Sequence, residues 1–433
     1  MSTLTGVQQE RIGRMPVNRA RIRLRDRVHL GEPGTGLIGP VNLPDPDAVR
    51  RNLEAFASFG PRTRIALRPD TAGEHWIHDP QRLLESIEVI EEPADPLELL
   101  IPTGRPIAPM RVTLAGRYLR TEHDHGVGEI RFGLLAHQVI TGAITPRDPD
   151  MLSQISRRRD GLGTAALRVF GSRPTRVLDV FRSMRETRIA RPEFAPADEF
   201  PTDAGSVPTR RGSHAVAVAV MPADVLGELR RWRDATLPRV SLFALVVSGL
   251  TRALTASGIP VDDVGTLPVD LRRYLPTGTN PLANFVSGIQ LPLRRGSDPA
   301  RLHHDLVTAV ASGRPIVSLA RVTALGYAAQ WLSHDGQRPA PGPSQPGAPL
   351  VFTGIQAHQQ LMDGFPWIDP ENSIFVSGTR PAVPEGITLQ SATVHGRLLI
   401  SASFQPQVHR SARVRGALDA FATDPVGVLR DRP

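Results

Sequence analysis

The chain of 433 residues contains no cysteine. This absence excludes disulfide bonds, thiolate nucleophiles and cysteine-ligated zinc sites. The chain also lacks lysine, so that its 51 basic residues are all arginine, and Schiff-base chemistry and a P-loop lysine are excluded as well. No apolar run approaches the ~18 residues that a membrane span requires. Since residues 1–15 also lack the apolar core of a secretory signal, we expect a cytoplasmic protein without a membrane span.

The charge and the aromatic content limit the partners. The formal net charge is +8 and aromatic residues make up 5% of the chain. A basic surface favours anionic partners, such as the phosphates of CoA or an acidic carrier protein. The arginines are scattered, however, and Arg157–Arg159 is the single dense run. Few aromatic side chains are available for base stacking, so we expect no nucleic-acid partner.

The length of the chain predicts two domains, because single hydrophobic cores rarely grow beyond roughly 250–300 residues. Strand and helix patterns occur in both halves, which predicts an α/β (α+β) fold. The stretch from Arg188 to Pro208 is rich in charge and proline, as is typical of a connector. We therefore assign residues 1–190 to an N-terminal subdomain, 191–212 to a connector and 213–433 to a C-terminal subdomain. We expect a monomer.

Each half of the chain contains one hairpin pattern. The first alternates from Met110 to Thr121 around a turn at Ala115-Gly116, and the second runs from Ile387 to Phe404 with a turn at His395-Gly396. The segment Thr113–Leu119 matches Thr393–Leu399, which suggests two related halves. Helices are predicted from periodicity at Asp45–Ala57, with Asp47 as N-cap, at Phe132–Ile140 and at Ser241–Ala256.

The segment from Glu122 to Glu129 concentrates the groups that are capable of acid–base chemistry. It reads Glu-His-Asp-His-Gly-Val-Gly-Glu and directly follows the first hairpin pattern. A histidine at the end of a strand can face a substrate, while a carboxylate four residues later fixes the loop behind it. The spacing therefore predicts His125 as a general base and Glu129 as the carboxylate that fixes the loop.

This segment resembles the His-His-x-x-x-Asp-Gly motif of the chloramphenicol-acetyltransferase-like superfamily. That superfamily includes nonribosomal-peptide condensation domains, wax-ester synthase/diacylglycerol acyltransferases and polyketide-associated acyltransferases. In this resemblance, His125 corresponds to the second histidine of the motif, which is the catalytic one, and Asp124 corresponds to the first. Glu129 takes the place of the aspartate and Ile130 that of the glycine.

The resemblance continues in the second half of the chain. The segment Leu267–Pro276 resembles the family segment whose arginine pairs with the motif carboxylate, which places Arg272 in that role. The segment Asn280–Gly288 resembles the strand that follows. The final hairpin, from Gly396 to Phe404, also matches in order.

The resemblance implies two acyltransferase-like subdomains arranged in a V around a central tunnel. It implies transfer of an acyl or aminoacyl group from a thioester of CoA or of an acyl or peptidyl carrier protein to an amine or alcohol, in natural product biosynthesis. No metal or redox cofactor is implied. His123 and Asp124 are expected beside the base, and Glu129 is expected to pair with Arg272. The residues expected in the tunnel are Gly126, Gly128, Asn284, Ser287 and Thr353.

Two further interpretations stay open. The fold could serve as a catalytically degenerate scaffold that binds a carrier protein. Alternatively, it could support altered chemistry, such as cyclisation, dehydration or epimerisation, with Asp124 as a second acid–base group. Other histidine clusters are weaker candidates. His303-His304-Asp305 lies in a helical pattern and is predicted to be a solvated face, and His75 and His78 are too few ligands for a zinc site.

Overall fold

A computed structural model of the protein describes residues 19–101, 109–155, 161–187, 214–293, 298–332, 347–355 and 359–430. The predicted connector at 191–212 and the arginine run Arg157–Arg159 lie outside these ranges.

Two large mixed sheets organise the described chain. The first has five strands, in the spatial order β12 (Ile374–Thr379), β2 (Pro33–Gly39), β7 (Tyr118–Asp124), β6 (Met110–Ala115) and β5 (Ile87–Ile90). The second has six, in the order β10 (Val286–Pro292), β9 (Val261–Asp270), β11 (Ala348–Gly354), β13 (Ile387–Val394), β14 (Arg397–Phe404) and β8 (Ala215–Met221). A small sheet is formed by β1 (Arg19–Arg21), β4 (His75–His78) and β3 (Leu67–Pro69). The predicted α/β (α+β) class is confirmed, whereas the V with a central tunnel stays a prediction.

Strand β12 links the two sheets. It comes from the C-terminal half of the chain but pairs antiparallel with β2, with Val376 opposite Leu37. It also contacts β14, because Ser401 Oγ donates to the carbonyl of Ser377 at 3.2 Å and Ser403 Oγ accepts from the amide of Thr379 at 3.3 Å. The first sheet is therefore completed by a strand from beyond the predicted boundary at residue 190.

Both predicted hairpins are present, as β6–β7 and β13–β14. In the second, His395 and Gly396 form the turn as predicted, with φ of +46° and +79°. In the first, Ala115 pairs with Tyr118, so the turn is Gly116-Arg117, one residue later than predicted. Gly116 has φ of +58° and occupies the first turn position, where Gly396 occupies the second. The two similar segments therefore differ in register by one residue.

The helices cover both sheets and their edges. They are α1 (Leu24–Arg27), α2 (Pro46–Ala57), α3 (Pro80–Glu85), α4 (Ile130–Thr141), α5 (Pro149–Ile155), α6 (Gly161–Ala166), α7 (Arg176–Glu186), α8 (Ala223–Thr236), α9 (Leu242–Ala256), α10 (Pro299–Ser312), α11 (Arg314–Leu332), α12 (Gln359–Asp363), α13 (Ser411–Thr423) and α14 (Pro425–Arg430). Short 3₁₀ turns span Pro96–Leu100 and Leu271–Tyr274, and a π turn spans Leu167–Gly171. None of the described helices is both long and apolar enough to cross a membrane.

Capping side chains set where the predicted helices begin. Asp45, not the predicted Asp47, caps α2, because Pro46 takes the first helical position and the Asp45 carboxylate accepts from the amide of Ala48 at 2.9 Å. Ser241 caps α9 in the same way. Helix α4 begins two residues earlier than predicted, since Glu129 accepts from the amide of Arg131 and serves as its N-cap.

Each large sheet has its own hydrophobic core. One core packs α2 and α4 against the first sheet and includes Phe56, Phe132 and Leu37. The other packs α9 and α13 against the second sheet and includes Phe352 and Phe421. Since β7 is buried along its whole length, the loop that follows it starts from a fixed position.

Candidate active site

The candidate site is the loop 125–129 between β7 and α4, called the His loop below. It begins at His125, whose amide donates to the carbonyl of Glu32 at 2.7 Å. The amide of Val127 donates to the carbonyl of Asp124 at 2.8 Å, which closes a tight turn. The loop ends at the Glu129 cap of α4. His125 therefore lies between a buried strand and a capped helix, the two elements that fix its backbone.

Two side chains from distant parts of the chain bind the carbonyl groups of the His loop. Asn284 Nδ2 donates to the carbonyl of His125 at 2.9 Å and to that of Gly126 at 3.3 Å. Arg64 Nη2 donates to the Gly126 carbonyl at 3.1 Å, and Arg64 Nε donates to that of Val127. Three consecutive carbonyl groups are thus held, with one anchor from each half of the chain.

Asp124 holds the backbone on both sides of the His loop. Its Oδ2 accepts from the amide of Gly31 at 2.7 Å and its Oδ1 from the amide of Gly126 at 2.8 Å. Burial raises the pKa of Asp124, although both amides lower it. With one N–H on each oxygen, the carboxylate is a structural acceptor. This geometry speaks against Asp124 as a second acid–base group.

Glu129 and Arg272 form a buried ion pair between the two halves. Arg272 Nη2 lies 2.5 Å from Glu129 Oε1, and the two side chains are 5% and 7% exposed. Arg272 Nη1 also pairs with Asp270 Oδ1 at 3.0 Å, and its other donors reach the carbonyls of Pro281 and Ala283. Burial alone would lower the pKa of Arg272, but the two carboxylates outweigh it and raise it. The ion pair thus ties the His loop to the segment that carries Asn284.

The glycines of the His loop allow close packing. A Cβ at Gly126 would lie 2.8 Å from Leu30 Cδ2, and a Cβ at Gly128 would lie 2.5 Å from Phe132 Cβ and 3.0 Å from the carbonyl oxygen of Leu282. At both predicted tunnel positions, protein atoms therefore fill the place where a side chain would project. Asn284 is also buried, and its side-chain amide donates to the backbone of the His loop.

The imidazole of His125 is half-buried and stacks on His29, with ring centroids 4.8 Å apart and an interplanar angle of 24°. Its Nδ1 is buried without a hydrogen bond to any of the other described residues. This leaves Nε2 as the nitrogen that can face a substrate. Burial and the nearby His29 lower the pKa of His125, while its own carbonyl, Glu32 and Glu129 partly oppose this. The ring is thus neutral near pH 7 and can accept a proton.

His123 lies behind the His loop. It packs edge-on against Phe132 at 5.1 Å, and its Nε2 approaches the backbone of Gly34, whose Cβ position is 3.4 Å away. Burial lowers its pKa to about 4, with His125 adding to the effect. A neutral histidine at 8% exposure supports the loop rather than meeting a substrate directly.

Ser287 and Thr353 lie on the second sheet. Ser287 is buried on β10 opposite Val269, and Thr353 is half-buried on β11 opposite Gln390. In the described part of the chain, no hydrogen bond joins either residue to the His loop. Their place in a tunnel stays a prediction.

Sequence reasoning missed the segment 24–32, which covers the His loop. His29 and Glu32 contact His125, and Asp26 binds Arg64 Nη2 through Oδ2 at 3.0 Å. Arg64 itself adopts φ of +60°, which is uncommon for a residue with a side chain. No motif marks these residues, because their roles depend on contacts between distant parts of the chain.

The other histidine clusters do not form a second site. In His303-His304-Asp305, His304 is exposed, but Asp305 is buried and pairs with Arg301 at 3.1 Å, so the predicted solvated face is only partly correct. His75 Nδ1 pairs with Asp70 Oδ2 at 3.3 Å. Within the described ranges, no group of three or more histidine or acidic side chains is placed to hold a metal ion.

The chain matches no protein-family profile and no curated protein sequence. Solved structures are similar in fold. Trichothecene 15-O-acetyltransferase TRI3 from Fusarium sporotrichioides superposes with a TM-score of 0.58 at 11% identity, covering 95% of this chain and 96% of that protein. The first condensation domain of the calcium-dependent antibiotic synthetase gives 0.57 at 13% identity, covering 96% and 98%.

TRI101 from F. sporotrichioides, solved in complex with coenzyme A and T-2, gives a TM-score of 0.55 at 12% identity, covering 92% of this chain and 96% of that protein. These structures belong to the chloramphenicol-acetyltransferase-like and condensation-domain superfamily. The α/β fold class that the sequence resemblance implied is therefore confirmed for the described part of the chain.

Proposed function

We propose that this chain is an acyltransferase of condensation-domain type that uses His125 as its general base. The acceptor is an amine or a hydroxyl group, and the donor is an acyl or aminoacyl thioester of CoA or of a carrier protein. The observation that carries the proposal is the half-buried imidazole of His125, stacked on His29 and held by a loop that is anchored from both halves of the chain. Burial keeps the pKa of this imidazole below its usual value.

The proposed reaction needs a single proton carrier. His125 Nε2 takes the proton of the acceptor as the amine or hydroxyl attacks the thioester carbonyl. The carbon–sulfur bond then breaks, and the imidazolium returns the proton to the leaving thiolate. General base catalysis of this kind contributes about 10²–10⁴ in rate. A depressed pKa suits the task, because the base must be neutral before each turnover.

The proposed roles of the other residues are positional. Glu129 and Arg272 fix the C-terminal end of the His loop, and Asn284 fixes its first two carbonyls. Asp124 fixes the approach from β7. Because both oxygens of Asp124 already accept backbone N–H groups, we favour acyl transfer over cyclisation, dehydration or epimerisation.

The fold neighbours support the class of donor. TRI101 is described in complex with coenzyme A, and a condensation domain of an antibiotic synthetase has the same fold. The net charge of +8 suits a donor that carries phosphates. We therefore propose a cytoplasmic, monomeric enzyme of specialised metabolism that takes either form of the donor. No metal or redox cofactor is part of this proposal.

The test is release of free thiol from a panel of acyl-CoA and acyl-pantetheine donors, with amine and alcohol acceptors added in turn. The protein has no cysteine, so a thiol-reactive dye has no protein background. We expect acceptor-dependent release by the wild type and by His304→Ala, a control on the exposed face of α10, but not by His125→Ala. Tight donor binding without release by the wild type would instead indicate a binding scaffold.

A further inference from the structure

A cavity of about 200 Å³ lies between α4 and α5. Arg131, Leu135 and Gln138 line it from α4, where their spacing places them on one face of the helix. The opposite walls come from α5 and from the segment that carries Asn280 and Leu282. None of these residues takes part in the acid–base chemistry proposed above.

One end of the cavity adjoins the His loop. The side-chain amide group of Asn280 lies 3.2 Å from Arg131 Nη2 and 2.6 Å from Gln154 Oε1. Leu282 lines the cavity, and its carbonyl oxygen lies 3.0 Å from the Cβ position of Gly128. Arg131 therefore marks the end that is nearest to the proposed base.

Arg131 is a half-buried cation whose charge is not neutralised by direct contact. It makes no ion pair with any residue in the described part of the chain, and Glu129 and Asp270 act on it only from a distance. Burial and the neighbouring Arg272 lower its pKa. A charge that is partly withdrawn from water gains from an ionic partner, and a guanidinium fits a carboxylate with two parallel hydrogen bonds. A carboxylate on a ligand would supply the missing partner.

The other end of the cavity presents acceptors. Gln138 is 7% exposed, and its Nε2 donates to the carbonyl of Leu361 at 2.9 Å. Its Oε1 is buried and has no partner among the described residues. Asp148 lines the same end. The amide of Ile144 donates to the carbonyl of Gln138, and Asp148, four residues later, caps the N-terminus of α5 by accepting from the amide of Met151. A hydrogen-bond donor or an ammonium group would satisfy this end.

The dimensions limit the ligand to a small molecule. Arg131 and Gln138 are separated by about two helical turns, or roughly 10 Å. The walls between them are apolar and include Leu135, Met151 and Ile155. An engineered cavity of ~150 Å³ holds benzene, and drug-sized ligands need roughly 300 Å³ or more. The space between Arg131 and Gln138 therefore suits a small molecule rather than a whole CoA thioester.

We propose that the cavity binds a short-chain organic carboxylate whose far end carries a hydrogen-bond donor, the class to which lysine and ornithine belong. Arg131 binds the carboxylate, and Gln138 and Asp148 accept from the far end. That this ligand is the acceptor substrate, with the amine beside its carboxylate as the attacking group, rests on the proposed function. The binding site itself does not.

The experiment measures binding to the full chain by titration calorimetry, with no thioester present. The probes are L-lysine, L-lysinamide, which lacks the carboxylate, and L-norleucine, which lacks the terminal amine. We expect lysine to bind at least tenfold more tightly than either analogue. Arg131→Gln should weaken the binding of lysine at least tenfold and leave the binding of lysinamide unchanged. Gln138→Leu should weaken the binding of lysine more than that of norleucine. Arg147→Gln removes an exposed arginine nearby and should change binding less than twofold.

Several results would overturn the site. They are equal binding of lysine and lysinamide, no binding of lysine at about 10 mM, or unchanged binding by Arg131→Gln. Should Arg131→Gln fail to fold, Arg131→Lys keeps the charge and should retain the preference for lysine over lysinamide. Binding is also measured with His125→Ala, which should bind lysine normally. Transfer that is independent of His125 would refute the proposed function alone, whereas His125-dependent transfer without lysine binding would refute the site alone.

Discussion

His29 stacks face to face on His125, with 4.8 Å between the ring centroids and 24° between the ring planes. His29 Nδ1 pairs with Glu32 Oε2 at 3.0 Å, and the carbonyl of Glu32 accepts from the amide of His125. The segment 29–32 therefore holds the proposed base from one side and covers its ring. His29 also acts on the charge of His125, because it lowers the pKa of that imidazole.

We expect His29→Ala to move the acid limb of the pH–rate profile to higher pH. Removing the ring exposes His125 to water and removes a repulsive charge, and both changes raise the pKa of the base. Since the base must be neutral, activity is then lost at a higher pH than in the wild type. His29→Phe keeps an aromatic ring over His125 but removes the charge, so it should shift the acid limb less than His29→Ala does. Profiles of kcat/KM for the three proteins measure this, and coincident acid limbs would refute the coupling.

Glu129→Gln should destabilise the protein by about 3 kcal/mol, because it leaves the buried Arg272 with Asp270 as its one ionic partner among the described residues. Glu129→Asp keeps the charge on a shorter side chain and should cost about 1 kcal/mol, with partial retention of activity. Urea denaturation measures both. Glu228→Gln, on the exposed face of α8, is the matched control and should be neutral. Equal stability of Glu129→Gln and this control would show that the ion pair contributes nothing.

Gly128→Ala should lower kcat/KM at least tenfold. The new methyl group would lie 2.5 Å from Phe132 Cβ and 3.0 Å from the Leu282 carbonyl oxygen, so the His loop must shift. Displacements of about 1 Å cost enzymes on the order of 10²-fold in rate. Gly163→Ala adds the same methyl group to a helix with no atom within 4 Å, and should stabilise the chain slightly without changing activity. A Gly128→Ala enzyme of wild-type activity would contradict the tight packing.

The stability of the fold should fall as the pH is lowered below about 6.5. Burial lowers the pKa of His123 to about 4 and that of His137 to about 3, from 6.5. Below pH 6.5 the unfolded chain therefore binds protons that the folded chain does not. Each of the two histidines therefore lowers the free energy of unfolding by about 2 kcal/mol between pH 7 and pH 5. His123→Leu should reduce this pH dependence of the free energy of unfolding by about that amount, whereas an unchanged slope would contradict the burial of a neutral His123.

Much of the fold could be predicted where local chemistry decides it. The 3.6-residue period of α9 and its Ser241 cap act within one turn, and so does the alternation of the two hairpins. The predictions that were wrong concern positions where two neighbouring residues or turns are nearly equal in energy. Asp45 and Asp47 are both good caps until Pro46 decides between them, and Ala115-Gly116 and Gly116-Arg117 differ by one register step.

The site could be predicted only in part, for a physical reason. His125 and Glu129 are four residues apart, so their spacing is visible in the sequence. The pairing of Glu129 with Arg272 followed from the family resemblance, since no local rule joins residues so far apart. The stacking of His29 and the anchoring by Arg64 depend on tertiary packing alone, and neither carries a motif. Strand β12 likewise pairs with β2 in the first sheet, although most of the chain lies between these two strands.

The most direct measurement of the central claim is the rate of acceptor-dependent thiol release by His125→Ala relative to the wild type, with donor binding measured in parallel. The account predicts a kcat that is lower by about 10²–10⁴, with the donor Kd unchanged within threefold and the fold retained. A His125→Ala protein that transfers acyl groups at the wild-type rate would contradict it.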